Sequence, residues 1–278
     1  MSGTTTSTNC PIEEPPMRWI RYTAPGLTAP AYGILEGETI REVRGTPFGE
    51  TERTGTSRKL SEVKIELPVV PPTFYAVGFN YTEHIKKVAA RTGNPVDIPT
   101  QPDVGYRANN GLIAHNEQVV IPKDATDAVQ YEGELVVVIG KKAKHLSEAD
   151  ALSCVLGYTI GNDVSERSWQ KSDRTLWRAK NTDTFNPMGP WIETDVKLDK
   201  LETRVSVNGK ESIRFPTNAM LFGVERYLAT ITRYITLYPG DVVWMGTDGA
   251  SPNLKAGDVV DIEITGIGTL SNPFVAET

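Results

Sequence analysis

The hydrophobic positions fall in short runs separated by Gly, Pro, Asn and Asp, which predicts strands and turns with few helices. Residues 18–22, 31–35 and 39–43 are such runs, and residues 17–70 read as a small β-rich unit. The stretch Leu67-Pro68-Val69-Val70-Pro71-Pro72 is a stiff link, because prolines favour extended backbone. The chain thus divides into a flexible tail over 1–15, a small β-rich N-terminal domain over 16–70 and a larger unit over 71–278. In the larger unit, residues 74–78 predict a strand. Asn80-Tyr81-Thr82-Glu83 has the form of a capping box, with Asn80 as N-cap and Glu83 at N3, so a short helix is expected to run to about Gly93. Residues 94–104, with Pro95, Pro99 and Pro102, read as a loop. Ser147-Glu148-Ala149-Asp150 reads as the cap of another helix and residues 155–160 as a strand. Residues 218–234 read as the longest helix, with Met220, Leu221, Val224, Leu228 and Ile231 on one stripe. Strands over 242–245 and 259–264 each follow a Gly-Asp pair. The expected fold class is mostly β (α+β).

One run carries chemistry. Tyr131-Glu132-Gly133-Glu134-Leu135 leads directly into Val136-Val137-Val138-Ile139. Side chains at i and i+2 of a strand share a face, so Glu132 and Glu134 should project together. Alternating charge on a strand is commonly a solvated face. Here, however, the strand continues as β-branched residues, the pattern of a strand buried on both faces. A third acid, Asp163, closes the next strand. If the two strands pair, Glu132, Glu134 and Asp163 converge, and an oxygen-rich trio suits Mg²⁺, Mn²⁺ or Ca²⁺. No Cys/His cluster has zinc spacing.

Arg167 and Gln170 follow Asp163 by four and seven residues, so a helical turn would align them on one side. Lys180 falls in a polar loop, Arg178-Ala179-Lys180-Asn181-Thr182-Asp183-Thr184-Phe185. His84 sits on the helix after Asn80, where a group titrating near neutrality can activate a water.

Composition adds limits. The chain has 278 residues, 39% hydrophobic and 23% charged, as a globular protein does. A net charge of −6 without a basic block gives no reason to expect nucleic acid as a partner. No apolar run approaches the roughly 20 residues of a membrane span. Residues 1–9 are rich in Ser and Thr without an apolar h-region, so no secretory signal is expected. Cys10 and Cys154 give no disulfide framework, which fits a reducing cytoplasm.

Several blocks occur together in order: Gly78-Phe79-Asn80-Tyr81-Thr82-Glu83-His84, the Tyr131–Leu135 block, Gly157 through Arg167, Lys180 through Pro190, Leu237-Tyr238-Pro239-Gly240-Asp241 and Gly246-Thr247. With them the chain resembles the fumarylacetoacetate hydrolase family over roughly residues 70–275. The resemblance implies a mixed β-roll catalytic domain behind a small N-terminal domain, in a homodimer. It also implies that Glu132, Glu134 and Asp163 bind Mg²⁺ or Mn²⁺ and that His84 is catalytic on a segment that closes as a lid. Arg167, Gln170, Lys180 and Thr247 match positions that hold substrate oxygens or a water. Arg107 falls where many relatives carry lysine. The implied reaction is hydrolysis of a carbon–carbon bond in a 2,4-dioxo acid, with the metal and Lys180 stabilising an enolate. Decarboxylation or keto–enol isomerisation of an oxo acid is the alternative. An inactive metal-stabilised binding protein ranks lower, because the trio and His84 are intact. Two positions depart from the pattern. Lys87 stands where many relatives carry the glutamate that partners the histidine, and Gly246-Thr247 continues as Asp248-Gly249-Ala250-Ser251-Pro252 instead of Pro-Ala-Gly.

Overall fold

The computed structural model of the protein describes residues 17–249 and 252–278, so the expected tail over 1–15, with Cys10, lies outside the described residues. The fold is mostly β, as the short runs predict. The N-terminal strands Arg18–Thr23, Ala31–Glu36, Thr39–Gly45 and Thr51–Lys59 form an antiparallel meander. Its first strand pairs with Asn186–Glu193, placing Arg18 opposite Glu193, so the meander continues the sheet of the larger unit. From there the sheet runs through Val155–Asn162, Gly133–Ile139, Val242–Trp244, Phe74–Val77 and Val104–Tyr106. A second sheet holds Lys210–Pro216, Glu202–Val207, Val259–Ile264, Gly268–Ala276 and Val119–Ile121.

Gly133–Ile139 is buried on both faces, as its β-branched run predicts. Leu135, Val137 and Ile139 enter the core shared with Val205, Val260 and Ile262 of the second sheet. Val136 and Val138 pack on the other side with Phe74, Met188 and Trp244. The two Gly-Asp turns are closed by their aspartates. Asp241 accepts from the backbone N–H groups of Thr73 and Tyr238, and Asp258 accepts from that of Lys255.

Helix α1 (Thr82–Thr92) ends on Gly93, whose left-handed backbone favours glycine. Its start differs from the expected capping box. Tyr81 is the N-cap and makes no side-chain cap bond. The Asn80 amide instead donates to the carbonyls of Phe222 and Met245 and accepts from the Phe222 N–H, while Glu83 pairs with Lys86. The Asn80 backbone carbonyl takes the Leu221 N–H. Those bonds hold residues 220–222 out of a helix. The long helix expected over 218–234 is therefore only α4, Val224–Tyr234.

The helix expected after Ser147 is also a correction. Ser147 Oγ does accept from the Asp150 N–H, but only a 3₁₀ turn, Ala151–Cys154, follows before the strand begins at Val155. Two short helices complete the set among the described residues, α2 (Arg167–Gln170) and α3 (Trp177–Asn181). Among the described residues no helix is long and apolar enough to cross a membrane.

Candidate metal centre and active site

The carboxylates meet because two strands pair in one register. Gly133 lies opposite Asn162 and Glu134 opposite Gly161, which brings the start of one strand to the end of the other. Glu132 precedes the first strand by one residue, but the pairing extends to it. Its N–H donates to Asn162 Oδ1, and its carbonyl accepts from the Asp163 N–H. Gly161 permits the close approach of Trp244, since a Cβ there would sit 2.5 Å from the indole. Glu132, Glu134 and Asp163 are all buried and offer ligand oxygens within 4.8 Å of one another.

Cations surround this trio. Lys180 Nζ donates to Glu132 Oε2 and Asp163 Oδ2 at 2.6 Å each. Arg107 grips Asp163 with two bonds, at 3.0 and 2.8 Å. Arg167 donates to Glu132 at 2.6 Å, to Gln170 at 3.0 Å and to Gln130 at 2.9 Å. Lys180 is not in a loop, as its polar neighbours suggest, but on α3 and buried. Asp173 explains the difference. Its carboxylate accepts the Ala179 N–H and its carbonyl the Leu176 N–H, which winds the segment, while Arg178 stacks over Trp169 of α2.

The electrostatics separate the three acids. Burial alone would raise Glu132, but Arg167 and Lys180 outweigh it and hold its carboxyl well below the usual range. Burial also opposes ionisation of Asp163, and there Arg107 and Lys180 win. Glu134 goes the other way. Burial, then the charges of Asp163 and Glu132, push it well above the ordinary value, and its hydrogen bond is to the Gly246 N–H at 2.8 Å. No salt bridge reaches Glu134 among the described residues. A buried carboxylate beside two others, without its own cation, fits a divalent oxygen-seeking ion.

These groups line one cavity of about 950 Å³, and His84, Arg107, Glu132, Glu134, Asp163, Arg167, Gln170, Lys180 and Thr247 all reach it. Every site residue singled out from the sequence is thus brought together. Burial lowers the His84 pKa from its ordinary 6.5, against the pull of Glu132, which favours the neutral ring. Its Nδ1 is buried with no hydrogen-bond partner. Sequence reasoning missed Gln130 and Asn186, whose amide donates to Asp163 at 3.2 Å. Gln130 was within reach of the strand rule, because it continues the every-second-residue spacing of Glu132 and Glu134. Asn186 carries no local signal, since its contact crosses from a neighbouring strand.

Comparison with known proteins finds related sequences and folds. The family model described as fumarylacetoacetate (FAA) hydrolase C-terminal matches residues 73–275, and one described as Rv2993c-like, N-terminal matches residues 17–68. The 2,4-didehydro-3-deoxy-L-rhamnonate hydrolase of Sphingomonas sp. (strain SKA58) is 40% identical, over 91% of this chain and 94% of that protein. The oxaloacetate tautomerase YisK of Bacillus subtilis (strain 168) is 35% identical, over 77% and 73%. The crystal structure of a 5-carboxymethyl-2-hydroxymuconate delta-isomerase from Mycobacterium smegmatis superposes with a TM-score of 0.84 at 37% identity, covering 94% of this chain and all of that one (100%).

Proposed function

The chain belongs to the fumarylacetoacetate hydrolase family, and on that premise we propose that it is a divalent-metal-dependent enzyme that hydrolyses a carbon–carbon bond in a 2,4-dioxo acid. The observation that carries this reading is the buried trio with Glu134 lacking a cation of its own. Glu132, Glu134 and Asp163 would hold Mg²⁺ or Mn²⁺. When bound, such an ion supplies Lewis acidity toward substrate oxygens and positive charge for a developing enolate. The three carboxylates balance Arg107, Arg167 and Lys180, so a divalent ion leaves two positive charges in the site. A substrate carboxylate and a developing enolate would neutralise both.

The protein's own groups account for the remaining steps. Arg167, Gln170 and Thr247 bind and orient substrate oxygens. Neutral His84 takes a proton from water as the water oxygen bonds to the remote carbonyl carbon. The carbon–carbon bond breaks, and its electron pair passes to the 2-oxo acid fragment as an enolate. Lys180 offsets that charge, which exists in the transition state and not in the ground state. The proton held by His84 then returns to the enolate carbon, giving a carboxylic acid and a 2-oxo acid.

A second reading is enolate chemistry without attack by water: tautomerisation or decarboxylation of an oxo acid. Lys87 favours it, because it leaves His84 without an acid one turn along α1. Mass analysis of products from acetylpyruvate and oxaloacetate separates the two readings. Hydrolysis gives two fragments, decarboxylation releases CO₂, and tautomerisation leaves the mass unchanged. The homodimer implied by the resemblance belongs to the same proposal, and sedimentation tests it.

A further inference from the structure

The two departures from the family pattern meet in space. Lys87 Nζ lies 3.6 Å from Asp248 Oδ2 and donates to the Asp248 carbonyl at 3.5 Å. His84 and Lys87 are three residues apart on α1 and so are neighbours on its surface, and Tyr81 caps the helix just before them. Asp248 acts on both Lys87 and Tyr81. It pairs with Lys87, and its charge adds to the upward push on the Tyr81 phenol, after burial and Glu134. The backbone carbonyl of the next residue, Gly249, is placed to accept from the His84 ring, a contact that favours the charged ring and that must yield for the ring to turn toward Asp248. The Gly249 N–H donates to Thr247 Oγ1 at 3.2 Å, folding this loop back toward the cavity.

Two orphaned atoms complete the picture. His84 Nδ1 and Asp248 Oδ1 are both buried, and both lack a hydrogen-bond partner. One is a ring nitrogen that can donate, the other a carboxylate oxygen that accepts. They lie on the two segments that Lys87 ties together. Buried polar atoms are rarely left unpaired, and an unpaired one at a reactive site calls for a functional partner.

We propose that Asp248 is the positioning residue of His84: as substrate enters and α1 seats over it, Asp248 Oδ1 accepts the Nδ1 proton of His84 while Lys87 holds Oδ2. The acid absent from α1 is thus supplied by the loop after Thr247, with a lysine in place of the glutamate to anchor it. A proton fixed on Nδ1 leaves the Nε2 lone pair free to take one from water or substrate. The carboxylate also stabilises the imidazolium that then forms. The inference rests on His84 as the proton carrier of the proposed function.

The test compares wild type, Asp248→Asn, Lys87→Glu/Asp248→Asn and His84→Gln as full-length, metal-loaded protein. It uses acetylpyruvate or oxaloacetate, whichever the wild type turns over faster, and reads kcat and KM separately. Asp248→Asn is expected to lower kcat about tenfold or more, part of the roughly 10²–10⁴ that general acid–base catalysis contributes, with KM nearly unchanged. Lys87→Glu/Asp248→Asn, which moves the acid onto α1, is expected to regain most of that loss. A loss caused only by a disturbed loop would show no such rescue. Wild-type kcat in Asp248→Asn with His84→Gln inactive overturns the role of Asp248 alone, as does a double variant no faster than Asp248→Asn. Full activity in His84→Gln, or no turnover of either compound by wild type, overturns the reading on which it rests.

Discussion

Lys180 Nζ lies 2.6 Å from Asp163 Oδ2, and both side chains are almost fully buried. The same ammonium lies 2.6 Å from Glu132, so one cation joins acids contributed by two strands. Removing one partner of a buried pair typically costs about 3–5 kcal/mol, because a charge is left uncompensated. Lys180→Met is therefore expected to destabilise the metal-free protein by about that amount, and added Mg²⁺ or Mn²⁺ to recover part of it. At saturating metal its kcat should fall by about 10²–10³, the usual effect of losing one group that stabilises developing charge. Thermal melts and steady-state kinetics check both.

Glu134 contributes to the pH dependence of the metal-free protein's stability. Its carboxyl is raised above 4.5 in the folded state, first by burial and then by Asp163 and Glu132. The folded chain keeps a proton that the unfolded chain releases, so this contribution is full below the unfolded value. It is lost, by up to about 1.4 kcal/mol per pH unit, as pH rises toward the folded value. A divalent cation bound by the trio would replace the proton, so the metal-induced rise in Tm should grow as pH rises above 4.5. Glu134→Gln, which resembles the protonated acid, should remove that pH slope and abolish the metal-induced shift.

On the proposed role of His84 as proton carrier, this residue sets the pH dependence of turnover. Its pKa lies below 6.5, lowered first by burial. At saturating metal, kcat/KM should be level near neutrality and fall on the acid side below about pH 6.5. An acid limb above 6.5 would show that another group carries the proton. The same linkage acts on stability: the neutral ring favours the folded state above 6.5, and that contribution is lost as pH falls through the folded value.

Gly161 ties the site to the core. It lies opposite Glu134, and a Cβ there would meet the Trp244 ring at 2.5 Å. Gly161→Ala is expected to destabilise the protein by about 1–3 kcal/mol through overpacking, and to weaken metal binding by moving Glu134. Chemical denaturation and calorimetric metal titration measure the two effects.

The strand run and the trio are legible because strand spacing is a local property. Glu132, Glu134 and the β-branched residues after them declare a buried face without any knowledge of partners, and Asp163 needs only the next strand to pair. Asn80 is not legible in this way. Its side chain satisfies every local rule for a cap, yet it bonds to Phe222 and Met245, far along the chain. The burial of Lys180 is hidden for the same reason. Its sequence neighbours are polar, and its partners arrive from two strands and from an α3 turn wound by Asp173. The Lys87–Asp248 contact shows only when both segments are folded, so two separate oddities of sequence become one feature of the site.

The most direct test of the central claim is turnover of acetylpyruvate and oxaloacetate by protein stripped with EDTA, before and after Mg²⁺ or Mn²⁺ is restored. Products are identified by mass. Turnover should vanish on stripping, return with either ion and remain absent in Glu132→Ala, with acetylpyruvate split into acetate and pyruvate. Undiminished turnover in EDTA, or in Glu132→Ala, would contradict a metal centre built on these carboxylates.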